Sequence, residues 1–279
     1  MIIDFHTHIF PPDIAQDREA WLASDAAFAE LYASPKARLA TAGDLLESMD
    51  AAAIDVSVAL GFGWRDAQDC SHHNDYLLEA AAVGDGRIIP FCTLPLAAGF
   101  EAVEAEARRC MTAGAMGLGE LRPDNLNFDL TGDEGRRLGR LAQELGALLL
   151  FHVSEPVGHA YPGKQGLELG AFYAFVRDHP DVEIVGAHWG GGLPFYALMP
   201  EVRLAMAHTS VDTAGTSLLY EPEIYGEVAG LLGADRVLFG SDFPLLAQKR
   251  SRAHIEAALA PEVAAMVLGG NAQRLLRLP

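Results

Sequence analysis

An α/β fold closing into a (β/α)8 TIM barrel, regular or slightly distorted, is what this chain predicts, on three observations. Short runs rich in Val, Ile and Leu alternate with helix-length segments from end to end, the pattern of a parallel sheet buried on both faces. The 279 residues are close to the roughly 250 of one such barrel. Five apolar runs also end on a side chain able to bind a metal: Asp4-Phe5-His6-Thr7-His8, Gly119-Glu120, Phe151-His152, Ala187-His188 and Ser241-Asp242. In an open doubly wound sheet those ends would be strung along a line, whereas a closed barrel brings them to one rim.

The elements follow in order. After the first strand comes an insertion, Pro11 to Lys36, in which Trp21, Phe28 and Tyr32 fall near one helical face and are read as packing onto the barrel rather than as a lid. Asp44–Ala53 reads as helix, Ile54–Leu60 as strand, His73–Val83 as helix and Arg87–Leu94 as strand. Phe100–Ala113 is helix, Ala115–Leu121 strand, and Thr131–Leu145 a helix stopped at Gly146. Strand Ala147–Val153, helix Leu167–Asp178, strand Val182–His188 and helix Leu193–His208 come next. The seventh strand is weak, either near Ser210–Ala214 or near Ser217–Tyr220. Ile224–Leu232 is helix, Arg236–Gly240 strand, and helices close the chain. No linker, internal repeat or low-complexity tract divides it, so residues 1–279 read as one domain.

The strand ends carry the chemistry. His6 and His8, two apart in a strand, point the same way and offer two imidazoles to one ion. Asp242 and His152 are further candidate ligands, and Asp242 doubles as a base. His188, before Trp189 and three glycines, is a ligand or an unligated acid/base. Glu120 could bridge a second ion, hold another ligand in place, or pair with Arg122, which shares its strand face and could grip a substrate carboxylate.

Bulk properties limit the partners. Half the residues are hydrophobic and 21% charged, an ordinary globular composition. A net charge of −18 without a basic patch argues against nucleic acid. Three scattered cysteines (Cys70, Cys92, Cys110), no signal-like start and no long apolar run give the expectation of a cytoplasmic protein that neither carries disulfides nor enters a membrane. A homo-oligomer remains open, and a small molecule is the expected substrate.

The ordered set, Asp4-Phe5-His6-Thr7-His8, Phe151-His152, Ala187-His188-Trp189-Gly190-Gly191, Gly240-Ser241-Asp242-Phe243-Pro244 and Gly270-Asn271-Ala272, resembles the amidohydrolase superfamily over the whole chain. The likeness is greater to its amidohydrolase-2 branch, which includes the aminocarboxymuconate-semialdehyde decarboxylase group. The resemblance implies one or two divalent metals among His6, His8, His152 and Asp242, with His188 acting on water or substrate. No lysine ends strand four, so a carbamylated-lysine pair of metals is not expected. Glu120 is instead similar to the strand-four glutamate of the deoxyribonuclease-like branch, although the acidic balance argues against DNA as substrate.

The expected activity is hydrolysis of a small amide, ester or lactone by a metal-activated water at the rim, the ion lowering the water pKa from about 15.7 toward 7. The ion is expected to be zinc, with manganese the alternative. Two other readings are kept: a metal-dependent non-oxidative decarboxylase of a small carboxylic acid, with Arg38 or Arg122 holding the carboxylate, and a non-catalytic metal-binding barrel. His159, Tyr161 and Lys164 in the long loop after strand five, with Trp189, are the candidate substrate contacts, because rim loops carry specificity.

Overall fold

The computed structural model describes residues 1–164 and 166–279. Eight parallel strands lie side by side in sequence order: β1 (Ile3–His8), β2 (Val56–Leu60), β3 (Ile88–Cys92), β4 (Gly117–Leu121), β5 (Leu148–Phe151), β6 (Ile184–Gly186), β7 (Thr209–Asp212) and β8 (Val237–Leu238). The seam between β8 and β1 is closed by backbone bonds rather than a regular ladder. Phe5 N–H donates to Phe239 O at 2.6 Å, His8 N–H to Phe243 O at 2.7 Å and Asp242 N–H to His6 O at 2.9 Å. This is the slightly distorted barrel expected.

Between strands run the helices α4 (Ala42–Ala52), α5 (Ala67–Val83), α6 (Phe100–Thr112), α7 (Asp133–Leu145) and α8 (Leu169–Asp178), preceded by the insertion helices α1 (Pro12–Gln16), α2 (Arg18–Ser24) and α3 (Ala26–Tyr32). Local signals set their ends: Thr41 and Asp44 form a reciprocal capping box on α4, Asp66 caps α5, and left-handed Gly146 stops α7. The long helix expected over Leu193–His208 is broken. Pro200, which has no N–H to donate, starts a fresh helix at Pro200–Ala205, flanked by 3₁₀ turns at Leu193–Tyr196 and Met206–His208.

The barrel interior below the rim is filled by Ile3, Phe5, Val58, Leu60, Phe91, Leu150 and their neighbours, with Phe5 and Phe91 packed edge to face at 5.6 Å. Gly117 and Gly119 of β4 leave room there, since a Cβ on either would lie within 3 Å of Phe91 or Leu150. The insertion packs as expected. Phe28 and Tyr32 stack at 4.7 Å and join Phe10, Phe62 and Trp64 in one aromatic cluster against the rim. His73 is fully buried under that cluster. All three cysteines are buried and free. Among the described residues, no helix is long and apolar enough to cross a membrane.

Candidate metal centre and active site

The rim turns polar because several strands change which side of the chain faces inward. In β1, Ile3 and Phe5 face the interior, yet His6 and His8 reach the site; the β1–β2 register shifts between Asp4 and Thr7, and this irregularity moves the inward face from odd to even residues. β4 does the same. Leu118 and Leu121 both pack outward, the register slips between them, and Glu120 enters the site. β6 uses a different device: after inward Val185 and Ala187, His188 and Trp189 adopt left-handed φ of 53° and 59°, and Gly190, Gly191 and Gly192 continue at 58°, 60° and 87°. The three glycines thus serve a left-handed turn, the conformation that costs a residue with a Cβ about 1–2 kcal/mol. Strands β5 and β8 keep their alternation to His152 and Asp242, the latter also left-handed at φ 65°.

The result is a compact group of donors. His6 Nε2 and His8 Nε2 stand 3.1 Å apart, and each lies 3.7 Å from Asp242 Oδ1 and 3.8 Å from a Glu120 oxygen. Across Glu120, His152 Nδ1 is 3.0 Å and His188 Nε2 3.5 Å from Oε1, and these two nitrogens are 3.2 Å apart. Arg122 is buried at the same strand end, 3% exposed, with Nη2 donating to Gly163 O at 3.0 Å.

Outer partners decide which nitrogens face inward. Asp212, fully buried at the end of β7, lies 2.8 Å from His6 Nδ1, which holds the proton there and leaves Nε2 as a lone pair. Ala214 O, 3.1 Å from His188 Nδ1, and Gly163 O, 3.3 Å from His152 Nε2, do the same for those rings, because a carbonyl can only accept. Asp4, buried, accepts from Ser241 N–H, His6 N–H and the Gln248 amide, tying β1 to the segment after β8; burial pushes its carboxyl up to about 6.

Electrostatics without an ion are strained. Burial opposes charge on His6, but Asp212, Glu120 and Asp242 outweigh it and raise the imidazole to about 10, while burial and the neighbouring His6 drive His8 down to about 4. Burial also opposes charge on Glu120, yet the imidazoles facing it hold its carboxyl well below the usual range. A divalent ion fits this donor set. Donors around an ion bound at about 2.1 Å stand roughly 3.0–3.4 Å apart, close to the 3.0–3.8 Å separations here.

The remaining candidates lie elsewhere. Trp189 is fully buried, its indole N–H donating to Thr216 Oγ1 at 2.9 Å, so it is core rather than a substrate contact. Lys164 turns back on its own loop, donating to Val157 O and His159 O at 2.6 and 2.7 Å. His159 is exposed on that loop beside the Tyr161 ring, and Tyr161 O–H donates to Glu155 at 3.0 Å. Arg38 is exposed. Asp212 is the residue that sequence reasoning missed. Its signal was the same as the others, a ligand type ending a strand, but on the strand left unplaced.

Comparison with known proteins agrees with this architecture. No curated protein matches the chain by sequence. Among solved structures, 5-carboxyvanillate decarboxylase from Sphingomonas paucimobilis aligns over 100% of this chain and 99% of its own, at 17% identity and a TM-score of 0.79. The 2,6-dihydroxybenzoate decarboxylase from Rhizobium aligns over 99% and 98%, at 18% identity and 0.76. A dihydroxybenzoic acid decarboxylase from Polaromonas sp. JS666, solved with bound manganese, aligns over 99% and 97%, at 17% identity and 0.76. At such identities these likenesses speak for the fold. The sequence pattern of the second amidohydrolase family spans residues 3–278, and the chain belongs to that amidohydrolase family.

Proposed function

We propose that the protein is a divalent-metal-dependent, non-oxidative decarboxylase of a small carboxylic acid, with hydroxylated aromatic acids the first class to assay. The observation that carries this reading is Arg122. Among the described residues it is the only buried arginine or lysine, and it shares its strand end with Glu120. A buried guanidinium beside a cluster of imidazoles and carboxylates is what a substrate carboxylate needs to enter a site this rich in acid groups. The three decarboxylases that share the fold lend support.

His6, His8, Asp242 and Glu120 would hold the ion, which supplies positive charge against an anionic substrate and the charge that develops on it. The manganese in the Polaromonas enzyme makes that ion the first to load, and zinc suits the same imidazoles. Arg122 orients the carboxylate. As the carbon–carboxylate bond breaks, its electron pair stays on the substrate carbon, carbon dioxide leaves, and that carbon takes a proton. His188 is placed to give it from Nε2. Burial opposes its charge, but in the metal-free protein the hydrogen bond to Glu120 and the nearby Asp242 outweigh burial and raise the imidazole to about 9, so that Nε2 carries a proton as well as Nδ1.

Hydrolysis of an amide, ester or lactone is the second reading. It is favoured by Asp242 Oδ1, 3.7 Å from both His6 and His8 Nε2, where a carboxylate can take a proton from water. The test is a panel of hydroxybenzoic acids, esters and lactones with manganese-loaded protein in ¹⁸O-water. Carbon dioxide release with unlabelled product supports decarboxylation, ¹⁸O in the product transfers the assignment to hydrolysis, and inertness with metal bound leaves a non-catalytic barrel. In the same assay Asp242→Asn is expected to lower kcat by about 10²–10⁴ with an unchanged melting curve. Full activity in that variant would remove Asp242 from the reaction.

A further inference from the structure

Helix α3 is clamped to the rim from two sides. Its N-cap Asp25 accepts the Phe28 N–H at 2.9 Å and, with its other oxygen, the Arg65 N–H of the loop after β2 at 2.8 Å. Glu30 accepts the Gly163 N–H of the loop after β5 at 3.1 Å. Tyr32, four residues after Phe28 and so on the same helical face, stacks on it at 4.7 Å and meets Phe10 at 5.2 Å and Phe62 at 5.8 Å. Phe10 lies two residues beyond His8 of β1, and Phe62 two beyond Leu60 of β2, which wedges the Tyr32 ring over the ends of those strands. Its hydroxyl is turned toward the metal centre. The charged groups that bear on it are Asp242 and Glu120, then Arg122 and Arg18, and three of these four belong to the candidate active site.

We infer that the Tyr32 hydroxyl sets substrate specificity by donating a hydrogen bond to an oxygen of the bound acid other than its carboxylate. The inference rests on the reading above for the carboxylate at Arg122. Tyr76 accepts from the Ala42 N–H at 2.8 Å and Tyr161 donates to Glu155 at 3.0 Å, whereas the Tyr32 hydroxyl has no hydrogen-bond partner among the described residues. A hydroxyl packed into a site and left unpaired recovers its hydrogen bond when a ligand brings an acceptor. A tyrosine keeps its proton at neutral pH, and in the metal-free protein burial, Asp242 and Glu120 push it up further, so the group acts as a donor. Arg122 follows the end of β4 while Tyr32 covers β1 and β2, so an acid held by its carboxylate at Arg122 offers Tyr32 a different atom. The substrate class narrows to small acids, aromatic ones first, that carry a second oxygen acceptor: a ring hydroxyl, an ether or a carbonyl. A fixed donor selects against an analogue lacking that oxygen, which an apolar wall does poorly.

Calorimetric titration of the manganese-loaded protein with acids of matched shape tests this without reference to turnover. The wild type is expected to bind 3- or 4-methoxybenzoate about three- to tenfold more tightly than the corresponding ethylbenzoate, which lacks the oxygen. Tyr32→Phe keeps the ring stack and removes only the hydroxyl. In that variant the preference is expected to vanish through weaker binding of the methoxy acid alone, with manganese content and melting temperature unchanged. Equal weakening of both acids would show a merely structural role, and an undiminished preference would show a different donor. Either result overturns the assignment and leaves the proposed reaction standing. Should the variant fail to fold, the wild type decides, since the preference sustains the contact and its absence overturns it. A wild type that binds none of the four acids with manganese in place overturns the contact and the decarboxylase reading together.

Discussion

On one side of Glu120 the imidazole of His6 is held from within the barrel by a carboxylate, Asp212, that is fully buried. On the other side His152 is held by the backbone carbonyl of Gly163, which belongs to the rim loop after β5. The Asp212 carboxylate is itself fixed by two further donors, the His188 N–H and the Ala214 N–H, each at 3.0 Å. Gly163 depends on contacts with neighbouring surface elements: its N–H donates to Glu30 of α3 at 3.1 Å, and its carbonyl also accepts from Arg122. One half of the site is therefore locked by core packing and the other by a loop docked onto the insertion. Asp212 reaches both halves, since it orients His6 directly and His188 through its backbone, whereas Gly163 reaches only one.

The largest way to break this asymmetry is Asp212→Ala. It strips three buried donors of their acceptor at once and is expected to cost about 3–5 kcal/mol of unfolding free energy, read from denaturant midpoints. Affinity for manganese, read by chelator competition, is expected to fall about 10–100-fold. A loss of metal affinity with stability untouched would mean that Asp212 is not anchored as described.

A histidine outside both halves calibrates the comparison. His73 Nε2–H donates to Ile9 O at 2.7 Å, and its Nδ1 accepts from the Trp64 indole at 2.9 Å, so the ring is satisfied only when neutral. Burial lowers it to about 4 from 6.5. Between those values the unfolded chain binds a proton that the folded protein refuses, so its contribution is intact above pH 6.5 and is lost as pH falls toward 4. The span corresponds to on the order of 3 kcal/mol. The stability difference between wild type and His73→Gln is expected to shrink across that window in metal-free protein. A difference that stays constant with pH would show that His73 is not held neutral.

How much of this could be seen in the sequence depends on what each residue's neighbours reveal. Strands such as Leu148–Phe151 announce themselves because both faces are buried and apolar, and His152 follows from simple alternation. β7 does not: in Thr209–Asp212 only Val211 is apolar, since Asp212 faces His6 and Ser210 is small, so no apolar run marks it and Asp212 went unseen with it. The donors at 6, 8, 120 and 188 were visible as residue types at strand ends, but the devices that bring them inward were not. Two are register slips and one is a left-handed turn, and only the three glycines after Trp189 hinted at the last. Lys164 and Trp189 are the converse case. Their types suit a substrate site, but a carbonyl pair and a core hydroxyl claim them, and such partners lie too far along the chain or in too irregular a loop for spacing to show.

The smallest expected effect is also the most selective. Gly163 has φ +84°, and a Cβ there would lie 2.5 Å from Leu31 Cδ2 of α3. Gly163→Ala should thus strain the loop by about 1–2 kcal/mol and lift it from the insertion rather than disturb the barrel. His152 would lose the carbonyl that fixes its tautomer, while His6 and Asp212, joined inside the barrel, would keep their 2.8 Å contact. The expected signature is a several-fold weaker hold on manganese, smaller than that of Asp212→Ala, with a melting temperature lowered only slightly. In ¹⁵N spectra of zinc-loaded, histidine-labelled protein, the His152 ring signals should move and those of His6 should not. Equal displacement of both rings would show that the two halves respond as one rigid unit, and that the loop acts on the whole site rather than on its β5 side.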